Sequence, residues 1–449
     1  MHRLDLHTLQ SVLADQLVAL PDDGIADASG LAVHSDHVRP GDAFVAIAGA
    51  RGHGITHAAA ALAAGAAYLI SDRPHPRALL VRDAACSLAQ LGRHARDQRR
   101  GPVIGVTGSV GKTTTKTLLG AALAARTSPG NINTPPALAC VLVEAWLHDP
   151  PERPLVIELG IDQRGEMAGL LALVRPSHGV LSAIAAAHLE GLGTIEDVAR
   201  EKTALLAAAP AGRYVGAAAW DHLDDVQRAG ATLVALGPGL PGGDYDSARQ
   251  RLEARLARAD GSAAEVALSL PGLGTPLAQA ALLALQVAVD LGVDPTLAAA
   301  RIEHARLEPR RLQAHALATL TLLDDAYNAS PISARAALEV LAQLPSPHAA
   351  VLGDMRELGP ASPRAHAELG HQVAAAGLSR VWFVGPESRA AYDAAGVPER
   401  HHLADVDAML AARADLPWHG SLLIKGSRSV GLDRLVDALL AERAAMVAT

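Results

Sequence analysis

Short apolar runs alternate with helical stretches through the middle of the chain. Val103–Val106, Leu155–Leu159 and Gly179–Ile184 are too short for buried helices and predict buried strands. Thr115–Ala125, Glu196–Ala209 and Thr275–Leu291 carry helical patterns. Strand–helix–strand alternation of this kind predicts βαβ units around a parallel sheet. The same rhythm resumes after residue 311, with strands predicted at Leu317–Leu323, Ala349–Leu352, Val381–Val384 and Leu422–Ile424. The alanine run Ala58–Ala67 predicts helix, because alanine is the best helix former. A basic, polar stretch, Arg93–Arg100, leads into Gly101-Pro102 and marks one boundary, and Pro309-Arg310-Arg311 marks a second. The expectation is an α/β protein of three domains, 1–100, 101–310 and 311–449. The cluster Gly237–Gly243 reads as a long loop in the middle domain or as a subdomain joint. No internal repeat is found.

Composition narrows the class. The 449 residues are 50% hydrophobic and 19% charged, with a formal net charge of −8. An acidic balance offers no basic stripe for nucleic acid, and two cysteines argue against a disulfide-stapled scaffold. The N-terminus has no apolar signal core, and Leu277–Val289 falls short of the ~18–20 apolar residues of a membrane span. A soluble, cytoplasmic protein is expected. Of 39 basic residues only four are lysine: Lys112, Lys116, Lys202 and Lys425. The three asparagines are Asn131, Asn133 and Asn328. A chain that otherwise writes arginine keeps lysine where a compact primary amine matters.

The predicted strand Val103–Val106 runs into Thr107-Gly108-Ser109-Val110-Gly111-Lys112-Thr113-Thr114 and then a helix. Strand, glycine-containing loop and helix start form a nucleotide triphosphate cradle, in which backbone N–H groups and the helix N-terminus face the phosphates. Lys112 reaches the β/γ-phosphates and the Thr113 hydroxyl ligates Mg²⁺ in such loops. Val106 stands where the first glycine of the usual pattern would be. Lys116, one turn on, reads as a solvated helix residue without a role.

Downstream, Glu158 puts a carboxylate inside an apolar run, which is costly unless the group is paired or holds a metal. It is a Mg²⁺ ligand candidate. His188 follows the run Gly179–Ile184, and alone it reads as structural more often than functional. Lys202 lies in a helical stretch whose other basic neighbours are Arg200 and Arg213. A primary amine can add CO₂ and become an anionic carbamate, whereas a guanidinium cannot usefully do so. His34, His37, His53 and His57 fit no zinc spacing and read as surface and loop residues.

Together these segments resemble the ATP-dependent Mur ligases of cell-wall synthesis. Residues 107–114 are similar to their phosphate loop, and Val156-Ile157-Glu158-Leu159-Gly160 to their metal-ligand strand. Ala187-His188-Leu189-Glu190-Gly191-Leu192-Gly193 with Lys202 looks like their histidine and carbamoylated lysine. Asp324–Pro331, Val351–Gly359 and Lys425-Gly426-Ser427-Arg428 are similar to the branch that adds D-alanyl-D-alanine. The resemblance implies an N-terminal UDP-sugar domain, a central P-loop ATPase with a parallel sheet and a C-terminal Rossmann-like domain. It implies ATP, two Mg²⁺ ions and a carbamate on Lys202, with UDP-MurNAc-tripeptide and D-Ala-D-Ala as substrates of a monomer.

By the same resemblance, Lys112, Lys202, His188 and Arg311 are catalytic, Arg311 reaching the transferred phosphate. Gly108, Ser109, Val110, Gly111, Lys112, Thr113, Thr114, Gln279 and Asn328 bind ATP. Thr113, Glu158, His188 and Lys202 hold metal, and Ser35, Asn133, Thr134, Asp325, Lys425 and Ser427 hold substrate. Gly130–Thr134 falls on the sugar-nucleotide side, and Gln279 presents an amide near the base. Asp325 and Asn328 are expected to face the closed cleft, with Tyr327 as packing. In the N-terminal domain His34-Ser35-Asp36 replaces the usual Asp-Ser-Arg, and Arg51 replaces an acid before Gly52-His53. Rival readings are a ligase adding the third peptide residue, a P-loop small-molecule kinase, or a noncatalytic nucleotide-dependent module.

Overall fold

A computed structural model of the chain describes residues 2–21, 24–49, 52–130, 132–417 and 419–447, of which 443–447 by backbone alone. Arg51 and Asn131 lie outside the described residues. The central sheet has six strands in the spatial order Thr232–Val234, Gly212–Gly216, His178–Leu181, Val103–Thr107, Leu155–Glu158 and Arg126–Thr127. Every pairing in it is parallel. The carboxyl ends of all six strands therefore open on one side, where ligands of such sheets gather.

The N-terminal sheet follows the order Leu17–Ala19, Ala78–Val81, Tyr68–Ser71, Asp42–Ala46, Gly30–Ala32, with an antiparallel first pair. The C-terminal sheet follows Gln313–Leu317, Leu320–Asp325, Gly420–Lys425, His348–Gly353, Arg380–Val384 and Glu399–Leu403. Its last five strands are parallel, as a Rossmann-like sheet requires. Among the described residues no helix is long and apolar enough to cross a membrane.

Two expectations, the alanine run and the strand Leu317–Leu323, need correction, and two other segments gain detail. Arg93–Arg100 is mostly the end of the helix Ala84–Asp97, and it binds the N-terminal sheet to the central domain. Arg96 Nε donates to Val174 O at 2.8 Å, Arg99 Nη1 donates to Ala145 O at 3.1 Å, and one apolar core runs through both regions. The alanine run is helical only over Ala58–Ala63, because Gly65 turns with φ +98° toward the next strand. Leu317–Leu323 is not one strand: Ala318, at φ +51°, turns the chain and makes an antiparallel hairpin. The 237–243 cluster leads into an antiparallel sheet of Gly242–Asp246, Arg251–Ala257 and Ala263–Ser269. Leu252, Ala254 and Leu256 of that sheet alternate inward and share a core with helix Thr275–Asp290.

Candidate active site

The phosphate loop connects the strand Val103–Thr107 to the helix Lys112–Ala122. Gly108 has φ +149°, and a Cβ there would stand 2.1 Å from Ser182 Oγ, so only glycine fits between the two loops. Gly111, at φ +81°, supplies the left-handed turn into the helix. The loop is stitched to the segment after the neighbouring strand. Ser109 N donates to Ala183 O (2.8 Å), Ser109 Oγ donates to Ala185 O (2.9 Å) and Ser182 Oγ donates to Val110 O (2.6 Å). Thr114 follows in the first helical turn, half-buried. Lys112 Nζ folds back to donate to Gly108 O at 2.9 Å, across the place a phosphate would take. Burial lowers its pKa, while Glu158, Asp162 and Glu357 favour the charge and Arg311 opposes it. Those residues thus surround one small volume.

Glu158 closes the strand Leu155–Glu158 and is 2% exposed. Thr113 Oγ1 donates to Glu158 Oε2 at 2.9 Å, so the two expected metal ligands already meet. Lys116 is not solvated. It is 1% exposed, its Nζ donates to Gly130 O, and it stands 3.5 Å from Glu158 Oε2. Spacing could have flagged it, since Lys116 lies one turn beyond Lys112 and Thr113 on the same helix.

Lys202 lies on the helix Ile195–Ala207, whose start is set by a Thr194–Asp197 capping box. Its side chain is 0% exposed, and its Nζ has no hydrogen-bond partner among the described residues. Burial first, and the charge of Lys112 second, bring the amine down to about 7. His188 sits at φ +56°, a conformation a non-glycine residue adopts at some cost. Its Nδ1 is 2.5 Å from Glu357 Oε2 and 3.1 Å from Asp162 Oδ1. Glu357 belongs to the C-terminal domain, and its backbone carbonyl also accepts from Glu190 N at 3.2 Å. The close His188 imidazole holds the Glu357 carboxyl below its usual range. Sequence reasoning gave neither Glu357 nor Asp162 a role.

From the C-terminal side, Arg311 and Arg428 flank the Tyr327 ring at 4.0 and 5.4 Å from its centroid. Tyr327 is therefore a platform between two guanidiniums and not core packing. Arg311 Nε has no hydrogen-bond partner among the described residues. Asn328 is exposed, with its Oδ1 accepting from Ala329 N (2.9 Å). Asp325 and Lys425 do not stand open. Lys425 is 2% exposed, 2.5 Å from Asp325 Oδ2, and donates to Asn328 O at 2.8 Å. Ser427 Oγ accepts from Arg356 N at 2.9 Å.

The remaining expected residues are spread more widely. Both ends of the Gln279 amide are bonded to backbone, Nε2 to Val234 O (2.8 Å) and Oε1 from Leu236 N (3.3 Å). Asn133 Nδ2 presses on Gly160, where a Cβ would come within 2.0 Å of it. Thr134 is exposed at the start of the helix Pro135–His148. Ser35 opens a short turn of the N-terminal domain and donates to Asp36 Oδ1 at 3.3 Å. In the same domain His53 is buried and bonded to Asp72 at 2.7 Å, not a surface residue as expected. Among the described residues no three His, Cys, Asp or Glu side chains converge on a metal position.

Residues 106–284 match the family model described as Mur ligase middle domain, and 310–428 that described as Mur ligase, glutamate ligase domain. The chain is 33% identical over 423 residues to UDP-N-acetylmuramoyl-tripeptide–D-alanyl-D-alanine ligase of Escherichia coli (strain K12), covering 89% of this chain and 91% of that protein. The ligase of the same name from Synechocystis is 31% identical, with 90% of each covered. A crystal structure of MurF from Acinetobacter baumannii superposes with TM-score 0.82 at 28% identity, covering 98% of this chain and 99% of that one. MurF ligase from Thermotoga maritima in complex with ADP matches with TM-score 0.75 at 27% identity, covering 93% and 98%.

Proposed function

The chain belongs to the Mur ligase family, and on that premise we propose that it joins D-alanyl-D-alanine to UDP-N-acetylmuramoyl-tripeptide with ATP, in peptidoglycan synthesis. The observation that carries the chemistry is the orphaned, buried Lys202 amine beside the phosphate loop. A neutral amine adds CO₂ as R–NH₂ + CO₂ → R–NH–COO⁻ + H⁺, and with its pKa brought down to about 7 a large share of the Lys202 amine is neutral near pH 7. The carbamate would supply the anion that the cleft lacks. Thr113, Glu158, His188 and the Lys202 carbamate would hold two Mg²⁺ ions. Bound there, Mg²⁺ neutralises charge on the transferring phosphoryl group.

The rest of the work falls to the chain's own groups. The 108–114 backbone and helix N-terminus cradle the ATP phosphates, and Lys112 leaves Gly108 O to meet the β/γ-oxygens. Phosphoryl transfer is mainly positioning and charge neutralisation. The free carboxylate of the tripeptide attacks the γ-phosphorus and ADP leaves, giving an acyl phosphate. Arg311, held against Tyr327 beside Arg428, brings positive charge to the transferred group from the C-terminal domain. The D-Ala-D-Ala amine then attacks the acyl carbon, phosphate leaves, and the amine's proton is lost. Lys425 and Asp325, paired with each other, shape the C-terminal wall and do not bind substrate charge directly. The His188–Glu357 contact holds that domain against the central one and keeps water from the acyl phosphate.

The test is phosphate release by the purified protein with Mg-ATP, UDP-MurNAc-tripeptide and varied amines. Release that depends on D-Ala-D-Ala is expected. Release with single amino acids alone would favour a third-residue-adding ligase, and a phosphorylated product without free phosphate would favour a kinase.

A further inference from the structure

Lys116 is a buried charge that the mechanism above does not use. Its Nζ contacts two separate parts of the cleft: it donates to Gly130 O in the segment before helix Pro135–His148, and stands 3.5 Å from Glu158 Oε2. That carboxylate oxygen is the one that accepts from Thr113 Oγ1. The 128–134 segment is joined to the same strand by two further bonds. Glu158 N donates to Ser128 Oγ (3.1 Å), and Ser128 N donates to Val156 O (3.1 Å). Asn133 then rests on Gly160, two residues beyond Glu158. The phosphate helix, the strand end and the sugar-nucleotide segment are thus laced together, with the Lys116 ammonium at the crossing.

We infer that Lys116 is a positioning residue that ties the 128–134 segment to the phosphate helix through Glu158. It thereby sets where the acceptor carboxylate lies relative to the γ-phosphate. This rests on the ligase reading given above. Lysine suits the place because a compact ammonium can serve a carbonyl and a carboxylate oxygen at once in a closed space, where a planar guanidinium needs more room. Removing it leaves the Gly130 carbonyl short of a donor and frees one side of Glu158. The acceptor segment can then drift while the ATP cradle, held by Ser109, Ser182 and the backbone, stays in place. A displacement of about 1 Å between reacting groups can cost on the order of 100-fold in rate.

The experiment compares unmodified enzyme with Lys116→Met and Ser128→Ala. KM is measured separately for ATP and UDP-MurNAc-tripeptide, and UDP-MurNAc-tripeptide binding is measured by calorimetry without nucleotide or metal. Lys116→Met is expected to raise the acceptor KM and weaken calorimetric binding about tenfold or more, and to lower kcat similarly. The ATP KM should rise clearly less than the acceptor KM, since the 108–114 cradle keeps its own bonds and only Glu158 loses a neighbour there. Ser128→Ala loosens the same segment without altering the lysine, and it should move the acceptor KM in the same direction. Equal shifts in both KM values, or an unchanged acceptor KM in either variant, would overturn the inference. If Lys116→Met does not fold, as judged by circular dichroism, Ser128→Ala decides alone. Failure of the ligase reading would appear in the unmodified enzyme as no D-Ala-D-Ala-dependent phosphate release, so the two failures are distinguishable.

Discussion

Lys202 and Lys425 are the same residue type, equally sequestered, on opposite sides of the cleft, and their surroundings make them different chemical objects. Lys425 lies at the end of a C-terminal strand, in register with Asp325, and its charge is answered by that carboxylate and the Asn328 carbonyl. Lys202 lies on a central-domain helix with no partner, and burial lowers its amine to about 7. A paired buried amine is a structural cross-link. An unpaired one costs stability, and under the function proposed above its reactivity is the reason to keep it.

The largest break in this comparison should come from Lys202→Arg, which keeps the charge but cannot form a carbamate. Turnover is expected to fall by about 10³-fold or more, the scale of losing a dominant charge-stabilising group. Phosphate release under saturating substrates measures it, and near-normal activity would end the carbamate reading. Lys202→Met sharpens the point through stability. The folded amine binds its proton more weakly than the usual 10.5 of an unfolded lysine, so below that pH the residue disfavours folding. In CO₂-free buffer at neutral pH the Met variant should melt at or above the unmodified protein while remaining inactive.

Lys425→Met should behave oppositely, losing about 3–5 kcal/mol of stability by stranding a buried carboxylate. The double variant Asp325→Leu/Lys425→Met should recover most of it in denaturant titrations. Recovery of turnover as well would show that the pair carries no substrate charge. A smaller effect is expected at Tyr327. Leucine there removes cation–π contacts of roughly 0.5–2 kcal/mol with Arg311 and Arg428 and should lower kcat about tenfold, while Tyr327→Phe keeps the ring and the rate.

The smallest effect should be at Glu357, which is half exposed. Because its folded pKa lies below the unfolded 4.5, its ion-pair contact with His188 contributes fully above that pH and is lost as pH falls through the lowered value. Glu357→Gln should cost less than about 1 kcal/mol and abolish the acid-side loosening of the C-terminal domain, read as the radius of gyration in solution scattering.

The alternation of strands and helices was legible because parallel strands are buried on both faces and read as uninterrupted apolar runs. The strands Arg251–Ala257 and Ala263–Ser269 were not, since one of their faces is open and charged residues interrupt them. Their place was decided by packing on helix Thr275–Asp290.

In the cleft, local motif chemistry was legible from sequence alone: glycines, lysine and threonine at that spacing predict a strand, a tight loop and a helix start, and Val103–Thr107 and Lys112–Ala122 take that form. Glu158 was legible too, as a carboxylate inside an apolar run. What only the tertiary structure decided was partnership. Sequence places Lys116, Lys202 and Lys425 on their elements but is silent on what faces them. Burial next to Glu158, next to nothing, or next to Asp325 is set by how distant segments pack. An amine's charge, reach and reactivity follow from those neighbours, which is why four lysines written alike serve different ends.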